Sequence, residues 1–318
     1  VSYAYDPELA PFVELIPRSD FSNIEASRAN LASLIAPLNA EVDTTGITID
    51  DRAVPGPDGA PSIPVRVYAP ADAHSAARPG LLDIHGGGFC SGSIEMEHAI
   101  AVRIVRDLGA VVVVVEYRLA PEHPFPAGAD DCFAALQWMH READDLGVDP
   151  ARIAVGGQSA GGGLAAAVAL MARDRGGPPI CFQFLGIPEL DHRLDTPSMR
   201  AFVDTPMWNR PNAVISWRNY LGENPGAVSP YASPSIADDL SGLPPAYVTA
   251  MEFDPLRDED VVYALRMMQA GVAVELHVYP GTFHGSAVMT SAAVSRRAAA
   301  ELIVALRRGL GVSENAKA

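Results

Sequence analysis

Gly157-Gln158-Ser159-Ala160-Gly161 fits G-x-S-x-G, a pattern that carries a nucleophilic serine on a sharp strand-to-helix turn. The pattern alone also fits a glycine-rich turn in any α/β protein, a nucleotide-binding loop included. Its context is more telling. RIAVG before it reads as a strand, and GGLAAAVALMARD after it reads as a helix, whose free N-terminal N–H groups would point toward the serine. The flanking glycines suit a strained turn on which neighbouring chains leave no room for a Cβ. No G-x-x-x-x-G-K-[ST] and no convincing G-x-G-x-x-G supports the nucleotide reading.

Acyl transfer needs backbone donors for the oxyanion that forms when a carbonyl becomes tetrahedral. His85-Gly86-Gly87-Gly88-Phe89 follows the apolar run LLDI. Gly86 and Gly87, with Ala160, are the expected donors, and His85 could hold the loop in shape through hydrogen bonds. A serine hydroxyl also needs a base within reach and a carboxylate to orient that base. Asp254 follows the run AYVTAME, and His284 follows VELHVYP in the loop PGTFHGS. Serine, acid, then histidine is the chain order expected of an α/β-hydrolase.

Other candidates compete poorly. His277 belongs to a strand face shared with Glu275 and Tyr279. His74, His98, His140 and His192 fall away from a strand's carboxyl end, and His123 sits in the turn PEHPFP. Among acids, Glu252 ends its strand, while Asp258, Glu259 and Asp260 begin the next helix and meet its dipole; Asp254, followed by Pro255, is the best placed. Cys90, Cys132 and Cys181 lack C-x-x-C spacing, and the last two lie in apolar surroundings where a thiol acts as a small hydrophobe. No cluster has metal-ligand spacing, so no metal and no cofactor are expected.

These residues need a scaffold, and the chain supplies one. Apolar residues make up 48% of its 318 positions, enough for one sizeable core. Strand-like segments at about 46–54 and 62–69 flank the turn-rich GPDGAPS and suggest an antiparallel hairpin. Beyond Pro79 six short apolar runs alternate with helix-length segments, which implies right-handed crossovers, a mostly parallel sheet and ligands beyond the strands' carboxyl ends. The fold class is therefore α/β, with eight strands.

Residues 1–45, with Ala26, Leu31, Leu34, Ile35 and Leu38 at helical spacing, read as N-terminal cap helices. Nearly sixty residues separate the strand ending near Ile187 from that starting near Ala246, too long for an ordinary crossover. Residues 188–225 thus read as a cap insertion between core segments 46–187 and 226–311. Phe89, Met207 and Trp208 are expected to line the substrate pocket and, with Phe202 near its mouth, to favour short acyl chains; alternatively these rings only glue the cap to the sheet.

The formal net charge of −16 disfavours nucleic acid as a partner. No stretch of about twenty residues is free of charge or helix breakers, so no membrane span is expected. The N-terminus lacks the pattern of a secretory signal, which makes the cytoplasm the default location.

HGGGF at 85–89, EYRLAPEHPFPA at 116–127, GGQSAGGGLA at 156–165, DPLRDE at 254–259 and GTFHG at 281–285 resemble the hormone-sensitive-lipase family of microbial esterases. QFLGIPELDHRLDTPSM, WNRPNAVISWRNYLG and the glutamine of GQSAGG are similar to bacterial heroin-esterase-type acyl esterases within it. Most members carry Asp where this chain has Gln158. The resemblance implies an α/β-hydrolase fold with a helical cap, cofactor-free hydrolysis of short acyl esters, a small-molecule ester as partner, and often a homodimer through the last strand. Two other functions are compatible with the fold: a small-molecule receptor, as in plant hormone receptors that lost the catalytic histidine, which His284 argues against, and an amidase or arylformamidase using the same triad.

Overall fold

The computed structural model describes residues 3–16, 20–57, 59–72, 76–223 and 226–313; His74 lies outside them. The expected hairpin is present, with β1 (Ile47–Val54) antiparallel to β2 (Ile63–Pro70). Six strands follow: β3 (Arg78–Ile84), β4 (Val111–Val115), β5 (Val148–Gln158), β6 (Phe182–Gly186), β7 (Ala246–Phe253) and β8 (Val274–Phe283). They form one sheet in the order β1-β2-β4-β3-β5-β6-β7-β8. β3 to β8 pair in parallel, while β2 meets β4 antiparallel.

Both faces of the sheet are covered, which explains the uninterrupted apolar runs. All five valines of β4 are buried. Val113 and Val115 join Leu82 and Ile84 on a face packed by α4 (Ala127–Arg141) and α6 (Ala160–Asp174). Val112, Val114 and Leu81 point the other way, toward α3 (His98–Leu108) and α10 (Ala293–Gly309). Alternate residues of one run thus fill two different cores.

The ends of the chain elements matter most for function. The short α5 (Ala143–Leu146) leads into β5, α6 leaves its carboxyl end at Ser159, and α9 (Arg257–Gln269) follows β7. β8 runs three residues past the expected run VELHVYP, with a register irregularity opposite Met251 and Phe253, so His284 comes directly off the strand. The long connection holds α7 (Pro197–Ala201) and α8 (Arg210–Leu221).

At the N-terminus lie α1 (Ala10–Val13) and α2 (Ile24–Ala40). The helical spacing along 24–40 does make a helix, but α2 has no buried residue, and Leu34 and Leu38 are exposed. Its firmest tie to the body is polar: Arg28 donates to the Cys90 and Ala120 carbonyls at 2.7 and 3.0 Å and pairs with Glu122 at 2.8 Å. No helix among the described residues is long and apolar enough to cross a membrane.

Candidate active site

Ser159 sits between β5 and α6 with φ 58° and ψ −125°, a backbone conformation that residues with a Cβ rarely adopt. The surrounding glycines show why it is tolerated. A Cβ on Gly157 would lie 2.3 Å from the Ile84 carbonyl oxygen, and one on Gly161 would lie 1.9 Å from the same atom. The turn is pressed against the end of β3, so the two loops that leave β3 and β5 are brought side by side. A Cβ on Gly86 would in turn stand 3.5 Å from the Ser159 Cβ.

His284 reaches this serine from β8. Its Nε2 lies 2.9 Å from Ser159 Oγ, and its Nδ1 lies 2.7 Å from Asp254 Oδ2. The other Asp254 oxygen accepts the Leu256 N–H at 3.0 Å. A carboxylate at Nδ1 fixes the tautomer with the proton on that nitrogen, which leaves Nε2 to accept the serine proton. Asp254 is fully buried, and Ser159 and His284 are nearly so.

The glycine loop is locked from behind. Burial pushes His85 down to about 4 and keeps it neutral; its Nδ1–H donates to the Gly86 carbonyl at 2.8 Å. Its ring stacks on Tyr117 at 4.2 Å, and the Tyr117 hydroxyl donates to the His85 carbonyl at 3.1 Å. Ser216, on α8, donates to the Gly88 carbonyl at 2.7 Å. The Gly86 amide faces Glu97, whose buried carboxyl neighbours that of Asp83 on β3. Ala160, the first residue of α6, has an N–H with no acceptor in its own helix.

The expected pocket residues divide. Trp208 packs edge-on against Phe21 at 5.1 Å and lies 5.9 Å from the His284 ring; a Cβ on Gly88 would meet its indole at 2.6 Å. The Met207 sulfur and methyl border Gly285, beside the histidine. Phe89 is buried and stacked on Tyr220 at 4.0 Å. Phe202 instead packs on Tyr3 and Phe253, with Arg257 over its ring.

The passed-over groups have structural partners. His277 lies between Glu275 and Glu301, 2.9 Å from each, on the strand face it was expected to share. His98 bonds Tyr68 and His192 bonds Ser233, both at 3.0 Å. Burial raises all three thiols, Cys90 to about 12 and Cys181 to about 11, which keeps them protonated and poor nucleophiles. Glu252 accepts the Gly281 N–H at 2.6 Å, and Asp258 accepts the Ser198 N–H at 2.7 Å. Glu259 and Asp260 do more than meet a helix dipole: both are buried, and Glu259 accepts the Leu190 and Asp191 amides.

Residues 81–288 match the profile of a family described as the alpha/beta hydrolase fold. The chain belongs to the α/β-hydrolase family. Within it, the resemblance to hormone-sensitive-lipase esterases holds across most of the chain. This hydrolase is 40% identical over 285 residues, 88% of each chain, to carboxylesterase NlhH of Mycobacterium tuberculosis. It is 38% identical over 218 residues to an arylesterase of Saccharolobus solfataricus, covering 66% of this chain and 68% of the relative. The solved structure titled Bacterial Heroin Esterase shares 53% identity with a TM-score of 0.95, over 96% of this chain and 98% of that one.

Sequence reasoning passed over Asp83, Glu97, Glu189 and Ser216. The first two were legible only as charges inside or beside apolar runs, a signal of burial rather than of position. Burial raises Asp83 to about 7, and burial together with the neighbouring Asp83 carboxyl raises Glu97 well above its usual range. Asp83 stays protonated in the folded chain after its unfolded counterpart has lost its proton, so its contribution to stability is complete below about pH 4 and is lost as pH rises toward 7. Asp83→Asn removes that loss. In urea melts its stability relative to the parent should rise by up to about 1.4 kcal/mol per pH unit between about pH 4 and 7; a difference that does not change with pH would contradict the buried proton.

Proposed function

We propose that this hydrolase is a serine carboxylesterase that cleaves short acyl esters, aryl and acetyl esters among them, through Ser159, His284 and Asp254. The observation that carries the reading is the unbroken contact Ser159 Oγ, His284 Nε2, His284 Nδ1, Asp254 Oδ2, at 2.9 and 2.7 Å. Relatives named carboxylesterase and arylesterase support the reaction class.

In the mechanism, Ser159 Oγ attacks the ester carbonyl while His284 Nε2 takes its proton. Asp254 stabilises the imidazolium without being protonated itself. The new oxyanion lies among backbone amides of the Gly86–Gly87 loop and Ala160; because Gly86 already faces Glu97, Gly87 and Ala160 take the larger share. Donors fixed in place in this way need no reorganisation as charge develops, and each is typically worth 10²–10³-fold in rate. The imidazolium then protonates the departing alcohol. Water, deprotonated by the same histidine, attacks the acyl-serine and releases the acid.

Residues 188–225, with the N-terminal helices, act in this reading as a cap, and Trp208, Met207 and Phe89 bound the pocket. Pairing of two copies through β8, an edge of the sheet, is the dimer that goes with it.

Ser159→Ala removes one hydroxyl from the site and none of its packing. The variant should melt at the parent temperature and lose on the order of 10⁴-fold or more of its kcat on 4-nitrophenyl acetate. Retained activity would remove Ser159 from the mechanism.

Chain-length selectivity tests the pocket. Trp208→Ala and Met207→Ala should raise relative kcat/KM for longer acyl chains, each added buried methylene contributing up to about 0.8 kcal/mol. A parent-like chain-length profile combined with a lower melting temperature would make that residue glue for the cap and not wall of the pocket.

A further inference from the structure

The pairing of β7 with β8 is broken just short of the catalytic residues. The two strands run in step from Ala246 opposite Val274 to Met251 opposite Tyr279, and the next pair is Phe253 opposite Phe283. An advance of two residues on β7 is thus matched by four on β8, and Asp254 and His284 come directly after that last pair. Side chains repair part of the break: Glu252 accepts the Gly281 N–H at 2.6 Å, and Thr282 Oγ1 accepts the Glu252 N–H at 3.4 Å. β8 also ends the sheet, so among the described residues no further strand steadies its outer side.

The segment from Tyr3 to Leu9 lies against this weak point. Asp6 donates its N–H to the Gly281 carbonyl at 2.8 Å, and the approach is so close that a Cβ on Gly281 would stand 2.8 Å from the Asp6 nitrogen. Glu8 accepts the Ala293 N–H at 2.5 Å, which ties the segment to the start of α10, and Leu9 is fully buried with Phe283 and Ala292. Between these ties Tyr5 sets its ring edge-to-face against Phe253 at 5.3 Å and against Phe283 at 5.4 Å. One side chain therefore touches the residue before Asp254 and the residue before His284. Edge-to-face contacts are directional, so they hold two rings at a set spacing as well as filling space. Tyr3 extends the contact to the cap insertion: its ring packs on Phe253 and Phe202, and its hydroxyl donates to Asp204 at 2.5 Å.

We propose that Tyr5 is a positioning residue for the triad: its ring fixes the separation of Phe253 and Phe283 where sheet pairing fails, and so keeps Asp254 Oδ2 within 2.7 Å of His284 Nδ1. Both contacts are made by the ring, so a phenyl group serves as well as a phenol. The role rests on the esterase reading for its effect on turnover, while the hydrogen bond it protects can be read separately.

Tyr5→Ala and Tyr5→Phe are compared with the parent at a temperature where all three are folded. Tyr5→Ala should lower kcat/KM at least about tenfold, and by the same factor for 4-nitrophenyl acetate and 4-nitrophenyl hexanoate, because a catalytic group displaced by about 1 Å loses up to about 100-fold in rate whatever the acyl chain. Tyr5→Phe should stay within about twofold of the parent. In proton NMR the His284 Nδ1 proton, held downfield by its bond to Asp254, should move upfield or be lost to exchange in Tyr5→Ala and stay in place in Tyr5→Phe. Parent-like kcat/KM in Tyr5→Ala overturns the proposal, as does a loss confined to one acyl chain or one that leaves the proton resonance unmoved. A Tyr5→Phe variant as impaired as Tyr5→Ala overturns it too. Should Tyr5→Ala not fold, Tyr5→Leu, which fills the space without ring faces, is judged by the same readings. If the parent hydrolyses neither ester, the esterase reading fails by itself, and the resonance alone then decides: a shift in Tyr5→Ala that Tyr5→Phe does not share supports the brace, and an unmoved resonance overturns it.

Discussion

The Ile84 carbonyl, pressed against the glycines on either side of Ser159, is the contact on which the site depends. It exists because β3 and β5 are neighbours in the sheet, with Ile84 opposite Gly157. Side chains at Gly157 or Gly161 would hold the two strand ends apart. With glycine there, the nucleophile and the loop carrying the amide donors leave adjacent strands at the same height, and the serine accepts an unusual backbone angle in exchange for its exposure to both His284 and that loop. The positions of His284 and Asp254 follow from the same geometry, since β7 and β8 continue the parallel sheet and end on the same side.

Around this point the interior is unusually rich in acids that lack a cation. Asp254 has its partners, an imidazole and a backbone amide. Asp83 and Glu97 lie side by side with no cation between them, Glu189 stands beside the Ser216 hydroxyl, and Asp260 has no hydrogen-bond partner for either side-chain oxygen. In low dielectric such groups keep their protons, so the site holds one orienting carboxylate among neutral acids. That contrast favours the transient imidazolium at His284, because a single negative charge lies next to it and is not diluted by water.

How far the chain could be read without coordinates depended on whether a feature is local. G-x-S-x-G, the three glycines after His85, and an acid and a histidine at the ends of later strands are each fixed by chemistry within a few residues, and the strands they sit on are marked by apolar runs such as VVVVV. The hairpin and six-run pattern gave eight strands within a few residues of their ends. Partnerships across the fold were another matter. Nothing in the sequence says that Ser216 would clamp Gly88, that Glu97 would face Gly86, or that Phe202 would turn to Tyr3 and Phe253 while Trp208 turned to His284; those depend on how α7 and α8 pack. Glu189 was the missed residue with a visible trace, a charged side chain in the apolar stretch FLGIPEL just after a strand.

The central claim is covalent: Ser159 carries the acyl group between two chemical steps. Mixing the enzyme with 4-nitrophenyl acetate in a stopped-flow instrument and quenching early samples in acid for peptide mass spectrometry tests it most directly. The account predicts a burst of nitrophenolate approaching one equivalent per active site where deacylation limits turnover, and an acetyl group on the peptide containing Ser159 in the quenched samples. An acetyl group trapped on a different residue would contradict it.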